Sequence, residues 1–509
     1  MKPKKQLIKR SLIMALFFAV QLAFLFVTVW WFNSYFAAYY VLDAILRVIF
    51  VFKIINDDSN PSYKIAWIVP IAFLPVFGSL IYVIFGNRTL KKKTCAKMAK
   101  ISDSAYATFK TERNTIAEEL KNEDPLAFTQ SNYISKYANF PIYKNTYSEY
   151  LPSGEIKYKK LMEELEKAKK FIFLEYFIIG EGIMWNSILE VLKRKVAEGV
   201  DVRVIYDAFG SLEVLPLQYN KTLESMGIKC AIVNPFVPAL DVRLNNRDHR
   251  KICVIDGNVG FTGGINLADE YINAYEKHGH WKDTAILLKG DAVWSLTVMF
   301  LTMWDYLKNV HTEINDFKGL SHEKYEDSGY VQPYSDNPMD SEPVGETVYL
   351  NIINKIVDYL YITTPYLIID NTMVTALCTA AKSGIDVKII TPHIPDKKYV
   401  HSVTRSYYQK LIESGVEIYE YTPGFIHAKA FVADDKYGVV GTINMDYRSL
   451  FLHFECATWL YKARCISEIK EDFIKTLESC EKITLEDCKK TPWYKRLTRV
   501  FLNLFAPLM

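Results

Sequence analysis

HRKICVIDGNVGFTGGIN, His249 to Asn266, and HAKAFVADDKYGVVGTIN, His427 to Asn444, are one pattern written twice. In each copy a Lys stands two residues after the His, an Asp seven, a Gly fourteen and an Asn seventeen. Each begins as an apolar strand, in which residues i and i+2 share a face and i+7 lies on the other. His249 and Lys251, like His427 and Lys429, therefore point the same way, and Asp256 and Asp434 point oppositely. Asp256-Gly257 is a turn signal, so the aspartates, though part of the candidate catalytic set, are expected to fix the turn behind the strand.

Working outward, the surroundings repeat as well. Lys170–Tyr176 (KFIFLEY) and Gly199–Asp207 (GVDVRVIYD) flank a helical pattern, as do Tyr359–Tyr366 (YLYITTPY) and Gly384–Thr391 (GIDVKIIT). Each set ends in a short helix, a glycine and a strand, SMGIKCAIV from Ser225 and ESGVEIYEY from Glu413. Strands alternating with helices predict an α/β sandwich built once per repeat, with helices on both faces of a mixed sheet. The polar stretch Ser321–Asp340 is the natural divide. The expected organisation is a membrane region (1–93), a helical connector (94–140), repeats at 141–325 and 326–490, and a C-terminal helix (491–509).

The chemistry follows from the residue types. A neutral His attacks phosphorus as a nucleophile, while Lys and Asn stabilise charge developing on the phosphoryl oxygens. A second His opposite protonates the leaving alkoxide. Two copies supply this pairing with neither metal nor cofactor. Eight cysteines include no CxxC pair and no zinc-like spacing; Cys253 and Cys456, in apolar runs, read as small buried thiols.

Both motifs resemble those of the phospholipase D superfamily, whose two repeats meet so that paired histidines form one site acting through a phosphohistidine. More narrowly, NNRDHRKICVIDGNVGFTGGINLADEY with HWKDT, and TPHIPDKKYVHSVTRSYYQKLIESGVEIYEYTPGFIHAKAFVADDKYGVVGTINMDYRSLFLHFE, resemble the motif regions of bacterial cardiolipin synthases. The resemblance implies His249 as nucleophile and His427 as acid and later base, an assignment that exchange of the two would also satisfy. It further implies Lys251, Lys429, Asn266 and Asn444 as phosphate holders, and Asp283 and Glu455 as the acids that orient the histidines. The chain departs from the family pattern at Asp248, where Asn is usual, and at Asp336-Asn337-Pro338, where Ser-Gly-Pro is usual. Arg247, Arg250, Arg405 and Arg448 are candidates for a second lipid phosphate or for salt bridges, and the pattern leaves both open.

The membrane readings rest on hydropathy. Ser11–Phe32 is uncharged and apolar, long enough to span a bilayer, and Ile65–Phe85 is nearly as long, with Pro70 and Pro75 expected to kink it. Residues 34–55 are apolar but hold Asp43 and Arg47, spaced i, i+4 to pair, and read as an interfacial or partly inserted helix, with a third span, which would put the catalytic part outside, as the alternative. On the first reading, basic flanks at Lys2–Arg10 and Arg88–Lys93 both face the cytoplasm, together with the catalytic repeats. Trp493–Leu508 is a basic amphipathic helix, open between docking on the protein's own core and lying on a membrane.

The net charge is only +3 in 509 residues, which argues against nucleic acid as partner. The implied partners are the bilayer and its phospholipids. One phosphatidylglycerol gives its phosphatidyl group to histidine with loss of glycerol, and a second attacks to form cardiolipin. A phospholipase D, a transferase using another headgroup, and a catalytically inactive membrane scaffold are the alternatives. Nothing in the pattern speaks to oligomeric state.

Overall fold

The computed structural model describes residues 19–24, 26–28, 36–74, 76–86, 92–109, 115–235, 246–319, 324–325 and 329–508. Strands β1 (Thr146–Leu151), β2 (Phe171–Tyr176), β3 (Asp201–Asp207), β4 (Lys229–Val233), β5 (Lys251–Ile255), β6 (Val259–Gly263), β7 (His280–Lys282) and β8 (Ala285–Gly290) come first. Then come β9 (Tyr330–Asp336), β10 (Tyr359–Thr363), β11 (Leu367–Ile368), β12 (Asp386–Pro392), β13 (Glu417–Tyr421), β14 (Gly424–Ile426), β15 (Ala430–Ala433), β16 (Tyr437–Gly441), β17 (Met445–Asp446), β18 (Glu455–Tyr461) and β19 (Cys480–Ile483).

The first large sheet has the order β1-β8-β6-β5-β2-β3-β4, and the second β9-β18-β16-β15-β10-β12-β13 with β19 added at its edge. The orders are the same, strand for strand. In both, the three strands at one end run parallel, and the motif hairpin, β5–β6 or β15–β16, joins them antiparallel. This is the two-repeat α/β architecture expected from the alternation of patterns.

Alternate residues of the central strands enter different cores. Ile172, Leu174, Cys253 and Ile255 pack against helices Gly154–Leu165 and Ile183–Ala197, whereas Phe173, Ile252 and Val254 join the interior that continues into the second repeat. That interior includes the helix Val293–Lys308, whose residues are buried without a break from Val293 to Asp305. Strands β6 and β8 meet β16 and β18, where Thr262 Oγ1 lies 3.3 Å from Cys456 Sγ.

Preceding the sheets are α1 (Phe36–Ile55), α2 (Pro61–Phe73) and α3 (Phe77–Phe85). The expected span Ile65–Phe85 is not one helix: it breaks at Leu74–Val76, and among the described residues no helix is long and apolar enough to cross a membrane. Pro70 removes one backbone donor and Pro75 another, and Gly78 lies so close to the carbonyl of Pro70 that a Cβ there would be 2.2 Å from it. The two pieces therefore fold back on each other. Asp43 explains its own presence in an apolar stretch: buried on α1, it pairs with Arg47 and accepts the backbone N–H of Val76 at the break. Arg47 in turn donates to the carbonyl of Ala72. The expected span Ser11–Phe32 falls mostly outside the described residues. Asn60 Nδ2 donates to Asp370 Oδ2 at 2.9 Å, tying the start of α2 to the second repeat.

Candidate active site

Each motif histidine sits just before a sheet strand, and its backbone is held by the opposite repeat. His249 N–H donates to the carbonyl of Phe454, at the threshold of β18, and His427 N–H to that of Lys282, at the end of β7. Strand β7 pairs in parallel with β14, and Asp248 bridges Phe454 in the same manner. These two short pairings bring the acid of one repeat to the histidine of the other. His249 Nδ1 lies 3.0 Å from both carboxylate oxygens of Glu455, and His427 Nδ1 2.6 Å from Asp283 Oδ2. A ring nitrogen facing a carboxylate carries the hydrogen, which leaves Nε2 of each ring with its lone pair. Lys429 Nζ, 2.8 Å from His427 Nδ1, therefore donates to the carbonyl of His427 instead. Lys251 does the same to His249.

Both rings are buried, and this holds them neutral: the His249 imidazolium is disfavoured down to about 3 and that of His427 to about 4, against the pull of their carboxylates. Burial also lowers Lys251 to about 8 and Lys429 to about 7. Asp283 and Glu455 act on both lysines, and the charge of Lys251 is felt at Lys429 and His427. The two motifs thus form one electrostatic unit. Glu455 itself is held well below the usual carboxylate range: burial opposes this, and His249 and His453 together outweigh it.

Asn266 accepts from Ile178 N–H at 3.0 Å and donates to Tyr271 Oη at 2.6 Å, and Tyr271 stacks edge-on to His427 at 5.8 Å. Asn444 donates to Ser449 Oγ at 3.0 Å, while its carbonyl oxygen is buried with no partner among the described residues. The fifteenth position after each His differs, with reason. A Cβ on Gly264 would come 2.1 Å from Asp283 Oδ1, whereas Thr442 donates its hydroxyl to the longer Glu455.

Asp256 and Asp434 are not gathered with the histidines. Both take left-handed backbone, φ 52° and 53°, and their carboxylates accept three consecutive backbone N–H groups each. Those are Lys169 to Phe171 for Asp256 and Val357 to Tyr359 for Asp434, all within 2.7–3.0 Å. They tie the motif hairpins to the starts of β2 and β10.

The arginines divide. Arg250 is buried on the opposite face from His249 against Asp248 and Glu175, and Arg405 pairs with buried Glu420, so both are engaged by carboxylates. Arg247 lies over the Phe209 ring at 4.2 Å, with Asp207 as its counter-charge and the smaller like charge of Arg448 against it, and its Nη1 finds no hydrogen-bond partner among the described residues.

Sequence reasoning missed three neighbours. His453, whose ring is 5.7 Å from that of His249, and Trp281, 5.6 Å from His427, both stand two residues before an orienting acid. That shared offset was the available signal. Lys157, buried and lowered to about 7, donates to Tyr176 Oη and the carbonyl of Ile265, and nothing in its helical context marked it. His249, His453 and Glu455 have ligand atoms within 4.8 Å of one another, but a cation there would displace the hydrogen that joins His249 to Glu455.

The profile described as "Cardiolipin synthase, PLD-like domain" matches residues 161–292 and 349–477, which together contain both motifs and both orienting acids. The chain belongs to the cardiolipin synthase family. A "Phospholipase_D-nuclease N-terminal" profile also matches, at residues 45–87. Among similar members, a cardiolipin synthase of Halalkalibacterium halodurans is 32% identical over 93% of this chain and 94% of its own, and one of Alkalihalophilus pseudofirmus 32% over 98% and 100%. An uncharacterised Streptococcus mutans protein is 44% identical over 90% of this chain and 99% of its own. In fold, the crystal structure of Haemophilus influenzae phosphatidylserine synthase superposes with a TM-score of 0.58, at 16% identity, covering 74% of this chain and 97% of that one.

Proposed function

We propose that this family member transfers the phosphatidyl group of one phosphatidylglycerol to a second, giving cardiolipin and glycerol, with His249 as nucleophile and His427 as acid and then base. The observation that carries the proposal is the crossed pairing of each histidine with the other repeat's acid, His249 with Glu455 and His427 with Asp283. It leaves both Nε2 atoms free for phosphorus and alkoxide, and binds the repeats into one working unit.

In the first step Nε2 of His249 attacks phosphorus, the P–O bond to glycerol breaks, and His427 gives that oxygen a proton. His427 is neutral in the free protein; the phosphodiester's negative charge beside it favours the protonated ring. Lys251, Lys429, Asn266 and Asn444 hold the phosphoryl oxygens. In the second step neutral His427 takes the proton of the acceptor hydroxyl as that oxygen attacks phosphorus and His249 leaves. Arg247, which has Asp207 as its counter-charge but an unpartnered buried Nη1, and Arg448 are our candidates for the acceptor's own phosphate. We assign Asp256 and Asp434 to the fold.

We further propose that the organisation set out from the sequence applies, with attachment to the cell membrane through residues 1–93, more than one crossing there, and the repeats on the cytoplasmic face. Basic flanks at Lys2–Arg10 and Arg88–Lys93 support that sidedness. Water is then kept from a phosphohistidine whose donor and acceptor both stay in the bilayer.

Purified protein incubated with phosphatidylglycerol labelled in the headgroup tests the reaction. Cardiolipin and glycerol in equal amounts are expected. Phosphatidic acid as sole lipid product would mean hydrolysis and overturn it.

A further inference from the structure

The last long helix presents its best hydrophobic surface to nothing. Counting it as α4 (Trp493–Leu504), Trp493, Leu497, Val500 and Phe501 fall on one helical stripe, and each is between 61% and 76% exposed. The side turned to the body is different. It offers Leu502 to a small cluster with Val403 and Tyr407 of the helix Lys398–Glu413, and Arg499, which meets the like charge of Arg405 on that helix. A helix docked to complete the protein's core would face the other way.

Two features identify what covers the stripe. From Lys489 to Leu508 the chain contains Lys489, Lys490, Lys495, Arg496 and Arg499 and no acidic residue, so the surface is matched to anions. The turn that follows, Ala506–Leu508, packs on α2, and Leu508 joins the Tyr63, Trp67 and Ile71 cluster. The stripe is thereby joined to the apolar N-terminal helices, whose Ile65, Phe73, Val41 and Phe52 are themselves more than half exposed. Tyr and Trp at the start of the helix are the side chains that settle between headgroups and acyl chains.

We propose that α4 lies in the headgroup layer of an anionic bilayer, its Trp493–Leu497–Val500–Phe501 stripe toward the acyl chains and Lys495 and Arg496 among lipid phosphates. It forms a second membrane contact, separate in sequence from residues 1–93, on the flank of the second repeat. Because its inner side rests on Lys398–Glu413, the helix that carries Arg405 against Glu420, the contact fixes the repeat's orientation to the lipid plane.

Hydrogen exchange of the full chain in nanodiscs tests this without relying on catalysis. Discs of phosphatidylcholine alone are compared with discs also containing phosphatidylserine. Amides of 493–504 are expected to exchange about tenfold more slowly in the anionic discs, since each basic side chain near such a surface adds measurable attraction. The Lys495→Glu, Arg496→Glu double variant should lose that difference, and Val500→Asp with Phe501→Asp should lose protection in both discs. Protection that is equal in the two discs, or that depends on protein concentration as contact between copies would, overturns the proposal.

Discussion

Replacing Asp434 by Asn tests whether the conserved spacing of the motif aspartate serves chemistry or architecture within this chain. Asn tolerates the left-handed backbone at this position, so the substitution changes charge and one donor–acceptor match and little else. Oδ1 of Asp434 accepts from Asp358 and Tyr359, which an amide oxygen preserves, while Oδ2 accepts from Val357 at 2.8 Å, where the amide would present a second donor. One charged hydrogen bond is lost, worth about 1.5–3 kcal/mol, and a donor is left facing a donor, so the total is about 2–4 kcal/mol. For a repeat of this size that lowers Tm by roughly 4–16 °C. Seven residues of extended chain, roughly 20 Å, separate Asp434 from His427. Turnover per folded molecule at a temperature well below the transition should therefore stay within about threefold of wild type, since no part of the barrier rests on this carboxylate. Thermal unfolding followed by circular dichroism in detergent, paired with cardiolipin formation, gives both numbers. An unchanged Tm with lost turnover would refute the reasoning and return Asp434 to the reacting centre.

Glu455→Gln should cost about 10³- to 10⁴-fold in cardiolipin formation, because an amide facing Nδ1 favours the tautomer that has no lone pair on Nε2; steady-state assay of a variant with near-native circular dichroism checks it. Between pH 5 and 7, kcat/KM should fall as pH rises, since the first step needs the protonated His427 ring, which burial disfavours above about 4 in the free protein, while His249 stays neutral to about 3. It should fall further as pH rises through about 7 and 8, where Lys429 and Lys251 lose the charge that holds phosphate. The corresponding limb in kcat should lie higher, because the bound anion favours the ammonium forms. A loss on the acidic side centred near pH 6 would contradict this. Gly264→Ala, whose Cβ would press on Asp283 Oδ1, should lower kcat by roughly 10²-fold through misplacement of His427, whereas Thr442→Ser, which retains the hydroxyl, should be nearly silent.

How much of this could be read in the sequence depends on how far each interaction reaches along the chain. Parity along β5 is local, so the opposite facings of Lys251 and Ile252, and the turn at Asp256, were legible from spacing alone. The partner of each histidine was not. His249 and Glu455 are 206 residues apart, and only the packing of one sheet on the other decides that the acids are exchanged between repeats. His453 and Trp281 become visible once that exchange is known. At the N-terminus, hydropathy recorded the apolarity of residues 65–85 but not the helix break between Phe73 and Phe77, where Asp43 of α1 reaches across to accept Val76 N–H. The stripe of α4 was evident from its periodicity, while the direction it faces is a property of the tertiary fold.

The central claim is one shared site in which His249 carries the phosphatidyl group. The most direct measurement is rapid acid-free quenching of the protein with phosphatidylglycerol labelled at phosphorus, followed by mapping of the labelled peptide. Label on the peptide containing His249, present in wild type and retained in His427→Ala but absent from His249→Ala, is the predicted result. Label on the His427 peptide, or its persistence in His249→Ala, would contradict the account.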